Sequence, residues 1–395
     1  MQQYFMDLHI HIGASSDKTP VKITASRNLT FENIVKEAYG RKGIDIIGII
    51  DCASPPVIED IKRMIEQGEL ILLPGGGYRY KDQVTVFLGS EVESKEAEGG
   101  RAHFLAFFPT LEQITEFSKI LAQYVTNISL SSQMTYLSGK EILQIVDGLE
   151  GVLIPAHAFT PYKSIYGNCA SSLKEIFPDD LDLKIKTIEL GLSADTEMAD
   201  HFSELSSRTF LSNSDAHSLS KIGREYNLIQ VKKPDFEHIF AVLAGKEEIG
   251  QIVANYGMDP RLGKYHRSFC ENCQSTLVGE PPQFECEYCG SERVVRGVWD
   301  RIVDICDREF SISPPHRPPY HYQIPLENIP GVGRKTVEKL IDAFKSEMNV
   351  LHRVGLEELK DVVPSRTAEN IVLAREGKLT LLPGGGGNYG KAVRK

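Results

Sequence analysis

Short apolar runs alternate with helix-patterned stretches through the first 255 residues. The runs cover 44–50, 85–89, 151–156, 185–190 and 209–211; helical patterns cover 29–39, 57–67, 111–124 and 139–147. Strands alternating with helices predict an α/β fold with a parallel sheet, either open or closed as a barrel. A length of about 220–250 residues suits one such barrel.

The texture changes near residue 256. Residues 265–300 are short, polar and cysteine-rich, and 311–325 are crowded with prolines and aromatics. A run such as Pro314-Pro315-His316-Arg317-Pro318-Pro319-Tyr320 cannot continue a helix and reads as an extended arm. Helical patterning returns over 326–377, and the tail from Pro383 holds four consecutive glycines. The expected organisation is a barrel at 1–255, a cysteine-rich module at 256–310, a connector at 311–325, and a helical domain with its tail at 326–395.

Composition adds bounds. Of 395 residues, 41% are hydrophobic and 25% charged, which is ordinary for a globular chain. No apolar run approaches the roughly 20 residues a membrane span needs. Met1 runs straight into Asp7, His9 and His11, so neither a leader nor a membrane is expected and the location is expected to be cytoplasmic. The net charge is −10, with about −11 in residues 1–255 and about +1 beyond them. That imbalance argues against a broad basic stripe, but clustered metal ligands place acids where cations neutralise them.

The ends of the apolar runs carry the chemistry. In Asp7-Leu8-His9-Ile10-His11, positions i and i+2 of an extended segment share a face, so both histidines address one point. Asp17 follows in a loop. Asp51-Cys52 ends one run, Glu91 follows Gly89-Ser90, His157 follows Ala156, and Asp215 and His217 follow Asn213-Ser214. One such residue alone would be a core histidine or a turn aspartate. Five runs each delivering one at the same end describe the rim of a barrel, where active sites form. His103 precedes its run, so its strand is expected to enter from the opposite side. Mixed imidazole and carboxylate donors suit Zn, Mn or Fe rather than Ca or Mg alone.

The segments Asp7–His11 and Gly89-Ser90-Glu91, with His103, His157 and Asp215-Ala216-His217, resemble the motifs of PHP-domain phosphoesterases. The resemblance implies a distorted (β/α)₇ barrel with two or three catalytic divalent ions (Zn, Mg, Mn or Fe). It implies one ion on His9, His11, Glu91 and Asp215, with Glu91 bridging to a second on His103 and His157. His217 would hold a third, with Asp17 and either Asp51 or Cys52. Cys52 departs from the family pattern, so the third set stays open. His9, His11, Glu91, Asp215 and His217 are the expected catalytic group. Ions about 3.5–4 Å apart activate water and stabilise an in-line displacement at phosphorus.

Cys270-x₂-Cys273 and Cys286-x₂-Cys289 have the spacing of a structural Cys₄ zinc site. Such a site has no open position and folds a piece of chain too small for its own core. Asn328-Ile329-Pro330-Gly331-Val332-Gly333-Arg334-Lys335-Thr336 resembles a helix–hairpin–helix. There Gly331 and Gly333 would let backbone amides approach a phosphate, with Lys335 supplying charge. A second unit spans 356–375 but lacks the glycines.

Taken in order, the barrel, ribbon, Arg317-Pro318-Pro319-Tyr320 arm and Ile329–Gly333 turn resemble the endonuclease Q family along essentially the whole chain. That resemblance implies nicking of DNA on the 5′ side of deaminated bases (uracil, hypoxanthine, xanthine) and abasic sites, with the damaged base flipped out. The expected base pocket is the loop around Gly76 and Gly77 with Tyr78 and Tyr80. Damaged DNA is the expected partner. The sequence identifies no sliding-clamp or repair partner, and the tail 384–395 is either a contact point or disorder. The alternatives are a small-molecule phosphatase on the same barrel and a non-catalytic DNA-binding protein with a decayed site.

Overall fold

A computed structural model describes residues 1–97 and 99–394; Lys395, the end of the expected tail, lies outside them. The central sheet begins with β1 (Gln2–Ile10), whose last six residues are buried. β1 pairs in parallel with β2 (Ile46–Ile49), and β2 in parallel with β5 (Val84–Glu93). A hairpin of β3 (Leu70–Leu72) and β4 (Tyr78–Tyr80) extends the start of β5. Beyond it, β6 (His103–Phe108) pairs antiparallel to β5, and β7 (Val152–Pro155) antiparallel to β6. β8 (Thr187–Glu189) and β9 (Thr209–Leu211) form a separate parallel pair. On the other side of β1 lies β10 (Tyr226–Val231), antiparallel to β1, and beyond it β11 (Gly250–Gly257), antiparallel to β10.

Among strand pairs lying within the first 255 residues, the expectation of a parallel sheet therefore holds only for β1–β2–β5 and β8–β9. The physical reason is plain between β5 and β6, where nine residues are too few for a parallel crossover. The reversal also accounts for His103 standing at the start of its strand: it lies opposite Glu93 near the end of β5. Helices Phe31–Glu37, Pro55–Glu66, Leu111–Leu121 and Gly139–Gly148 pack their apolar stripes on the sheet.

β12 (Phe269–Cys270), β13 (Ser275–Thr276) and β14 (Val294–Val295) form a three-stranded ribbon. The proline-rich arm is anchored to the central sheet and the segment before β9. Its β15 (Tyr320–Tyr322) adds a parallel edge strand to β11, and Arg317 pairs with Asp200 at 2.9 Å while lying 3.6 Å over the Phe210 ring. The helical module docks through a bidentate Arg41–Glu338 pair at 2.8 Å, Lys42–Glu347 at 2.8 Å and a 2.6 Å Tyr226–His352 contact. A terminal hairpin, β16 (Thr380–Leu382) and β17 (Lys391–Val393), carries Tyr389 back toward the barrel, where Arg224 reaches its hydroxyl at 3.2 Å. Among the described residues, no helix is long and apolar enough to cross a membrane.

Candidate active site

The end of β1 and the loop after β9 are stitched together residue by residue. His11 N donates to Ala216 O and Ala216 N to His9 O, both at 3.1 Å. The buried Asp7 carboxylate accepts the amides of Ser214 at 3.0 Å and Gly223 at 2.9 Å. The alternation of an extended segment then puts His9, His11, Asp215 and His217 around one point. Three site residues, Asp51, His157 and Asp215, have φ of +82°, +31° and +45°. Non-glycine residues held there store strain, which the packed strand ends must sustain in order to aim these side chains.

Both central imidazoles are oriented from behind. His9 Nδ1 lies 2.9 Å from Glu189 Oε2, and His11 Nδ1 lies 2.9 Å from Asp51 Oδ2. A carboxylate behind Nδ1 keeps the proton there and points the Nε2 lone pair forward. The two Nε2 atoms are 3.4 Å apart. Asp215 Oδ1 stands 3.5 Å from His9 Nε2 and 3.4 Å from His11 Nε2, and Glu91 stands 3.7–3.8 Å from the pair. These gaps match the edges of a coordination shell: donors about 2.1 Å from an ion at tetrahedral angles lie about 3.4 Å apart.

A second group shares Glu91. Its Oε1 is 2.9 Å from His103 Nδ1 and 3.4 Å from His157 Nε2. The other His103 nitrogen faces Glu93 at 3.3 Å, while buried Nδ1 makes no hydrogen bond despite its nearness to Glu91. A buried donor atom without a partner, aimed at an oxygen and a second imidazole, fits a bound cation. A third group comprises His11, Asp215 and His217.

The field at this centre calls for positive charge. Burial opposes protonation of His9, yet Glu189, Asp215 and Glu91 outweigh it and push its pKa up to about 10. Burial likewise opposes ionisation of Glu91 and Asp215, but His103 and Lys22 hold the first, and His9 and His11 the second, well below the usual carboxylate range.

Other expected ligands stand elsewhere. Asp17 is engaged locally by Ser15 and the Thr19 amide and joins none of the donor groups. Asp51 serves from behind His11. The Cys52 thiol donates to Ile49 O at 3.0 Å, and burial raises its pKa, so it remains a thiol. The Gly76–Tyr80 expectation is corrected: Gly76 and Gly77, at φ of +84° and +78°, make the β3–β4 turn. Tyr78 and Tyr80 are buried in the core, opposite Val86 and Val84, five or more residues along β5 from Glu91. Glu189, Lys22 and Ser132 were missed. Glu189 closes the 185–190 run much as the other acids follow theirs; no local signal marks the other two.

In the ribbon, Cys270 and Cys289 sulfurs are 3.7 Å apart and those of Cys273 and Cys286 3.5 Å, with all four within 4.8 Å. Zn–S bonds of about 2.3 Å give tetrahedral edges of about 3.8 Å, so the four thiols fit one zinc ion. In the helical module Gly331 has φ of +90°, and a Cβ there would meet Thr367 Oγ1 at 2.9 Å. Gly333 caps helix Arg334–Phe344 with open space beside it.

No family model matches the chain. The uncharacterised protein YqxK of Bacillus subtilis is 47% identical over 393 residues, 99% of each chain. An uncharacterised protein of Methanocaldococcus jannaschii is 38% identical over 255 residues, 60% of this chain and 31% of that one. Among solved structures, the lesion-specific endonuclease PfuEndoQ from Pyrococcus furiosus superimposes with a TM-score of 0.83 at 33% identity, covering 100% of this chain and 96% of that one. Endonuclease Q in complex with a 27-mer duplex substrate with an abasic lesion at the active site gives 0.83 and 33%, covering 100% and 97%.

Proposed function

The chain belongs to the endonuclease Q family, and on that premise we propose that it is a metal-dependent DNA repair endonuclease cutting on the 5′ side of deaminated bases and abasic sites. The observation that carries this reading is Glu91, shared between two donor groups at the strand ends of a chain matched end to end by a lesion-specific endonuclease.

Divalent ions held there would activate water at neutral pH and offset charge on the attacked phosphate. The chain's own residues supply the geometry. His9, His11, Glu91 and Asp215 would hold one ion, and Glu91, His103 and His157 a second. Glu189, Asp51 and Glu93 fix the imidazoles in the donor orientation. Beside His157 and Asp215 opens a cavity of about 190 Å³, walled by Gly191, Ser193, Tyr265 and Tyr389. Its size would suit an extruded base rather than a whole nucleotide, and the two rings would give that base something to stack on. A deaminated base pairs weakly, so extruding it costs less. Gly333 and Lys335, at the start of their helix, would grip the DNA backbone without reading sequence. The cysteine ribbon would be a separate unit holding structural zinc.

The test is a duplex carrying one uracil, hypoxanthine, xanthine or abasic site, incubated with the protein and Mg²⁺ or Mn²⁺. A single nick 5′ to the lesion, absent from undamaged duplex, is expected. Release of phosphate from a small monoester without nicking would mean a phosphatase, and binding without either product a decayed site.

A further inference from the structure

Behind the turn that carries Asp215 stands an arginine with all three guanidinium nitrogens engaged. Arg224 Nε donates to Ser214 O at 2.7 Å, one terminal nitrogen to Asp215 O at 3.2 Å, and the other to the Tyr389 hydroxyl at 3.2 Å. The same Asp215 carbonyl lies 3.1 Å from His217 Nδ1, so the clamp bears on both ligands of that turn. Asp215 has φ of +45°, a conformation that persists only where its surroundings hold it. A planar fork on two successive carbonyls does this in a way that a flexible ammonium does not.

Arg224 is in turn held from the arm. Gln323 Nε2 donates to Arg224 O at 2.7 Å, and Gln323 Oε1 accepts the Tyr226 hydroxyl at 2.7 Å. The one proton of Tyr226 is thereby spent, so His352 Nε2, 2.6 Å from the same oxygen, is the donor there. Donors therefore run one way. They start at His352, in helix Glu347–His352 of the helical module, pass through Tyr226 and Gln323 to the backbone of Arg224, and end through its side chain at Asp215. Tyr226 is fully buried and Gln323 is 8% exposed, so solvent is a poor substitute for a lost partner and each link depends on the next.

Resting on the nuclease reading above, we propose that Arg224 is a positioning residue that sets the metal ligand Asp215, and that Gln323 and Tyr226 tie it to the seated helical module. The module that grips the DNA backbone thus also supports the turn carrying Asp215, and cutting depends on its seating as well as on its grip.

The test separates rate from grip on a duplex with a single abasic site. Arg224→Met should lower kcat about 100-fold, and Tyr226→Phe and Gln323→Met about 10-fold each, with KM for the duplex within about twofold of wild type. Adding Tyr226→Phe to Arg224→Met should slow cutting no further, because the link has nothing left to support. Wild-type kcat in Arg224→Met or in both link variants, losses confined to KM, or losses that multiply in the double variant overturn the assignment. Mn²⁺ affinity, read by electron paramagnetic resonance, needs no turnover: it should fall about 10-fold in Arg224→Met and recover in part in Arg224→Lys. A wild type that binds Mn²⁺ without nicking overturns the nuclease reading alone, and equal Mn²⁺ affinity in wild type and Arg224→Met overturns the clamp alone. Should Arg224→Met fail to fold, Tyr226→Phe, which keeps the ring and loses only the hydroxyl, decides.

Discussion

The ribbon and the barrel centre both gather metal donors, and they do so by opposite means. In the ribbon, four cysteines within twenty residues of chain close around one point. Donors of one kind fill every position, so such a site holds structure together. In the barrel, the donors run from His9 to His217, each delivered by a strand end, and each central imidazole has a carboxylate behind it. Mixed donors, shared oxygens and strained backbone leave room for a substrate. A site built from one short segment reports folding; a site gathered from strand ends far apart in the chain reports chemistry.

That contrast can be broken at several points. The largest effect is expected at the shared carboxylate: Glu91→Gln should lower lesion nicking by about 10³-fold, equivalent to roughly 4 kcal/mol of barrier. Unchanged circular dichroism and zinc content in the ribbon should accompany that loss. Cys273→Ser should do the reverse. It should remove one zinc per chain by elemental analysis and expose the ribbon to limited proteolysis, while Mn²⁺ binding in the barrel persists; structural zinc contributes on the order of 10 kcal/mol to folding such modules. Next comes Glu189→Gln, which should weaken barrel metal binding by about 10–100-fold without altering the fold, as expected when the group orienting a ligand imidazole is lost.

The helical module sharpens the comparison, because Gly331 and Gly333, two residues apart, differ in role. Gly331→Ala meets both a positive φ and Thr367, so it should destabilise the protein by roughly 1–3 kcal/mol in urea melts. Gly333→Ala has room for its methyl group. It should cost less than about 1 kcal/mol and weaken binding to duplex DNA several-fold.

The smallest effect concerns a histidine of opposite environment to His9. His352 is half-buried against Tyr226, and that desolvation, with the charges of Arg375 and Arg353, lowers its pKa to about 4. Its unfolded value is about 6.5. Between these values the unfolded chain binds the extra proton, so stability rises with pH there and is lost as pH falls from about 6.5 toward 4. His352→Gln should flatten that part of the stability profile, measured by thermal melts at each pH.

How much of this was legible follows from the same contrast. The ribbon could be read from spacing alone, because all its information is local. The convergence of these donor side chains was legible because strand periodicity and run ends are local too, even where the partners are far apart. His103 was legible with its reversal, since a ligand preceding its run implies an entering strand. The roles behind the ligands were not legible. Asp51 looked like a ligand and instead holds His11, while Glu189 and Lys22 carry no motif, because what they touch is set only by packing. The Gly76–Tyr80 loop misled for a related reason: glycines beside aromatics describe a hairpin turn over a core as well as they describe a pocket, and only burial separates the two. The cavity beside His157 is walled by Tyr265 and Tyr389, which lie in separate regions of the chain.

Metal-free protein, prepared with a chelator and returned to defined Mn²⁺, offers the most direct measurement on a duplex with a single abasic site. The wild type should cut 5′ to the site only after metal is restored, and Glu91→Gln should not cut at any Mn²⁺ concentration. Cutting by the metal-free wild type, or by Glu91→Gln at the wild-type rate, would contradict a shared metal centre as the source of the activity.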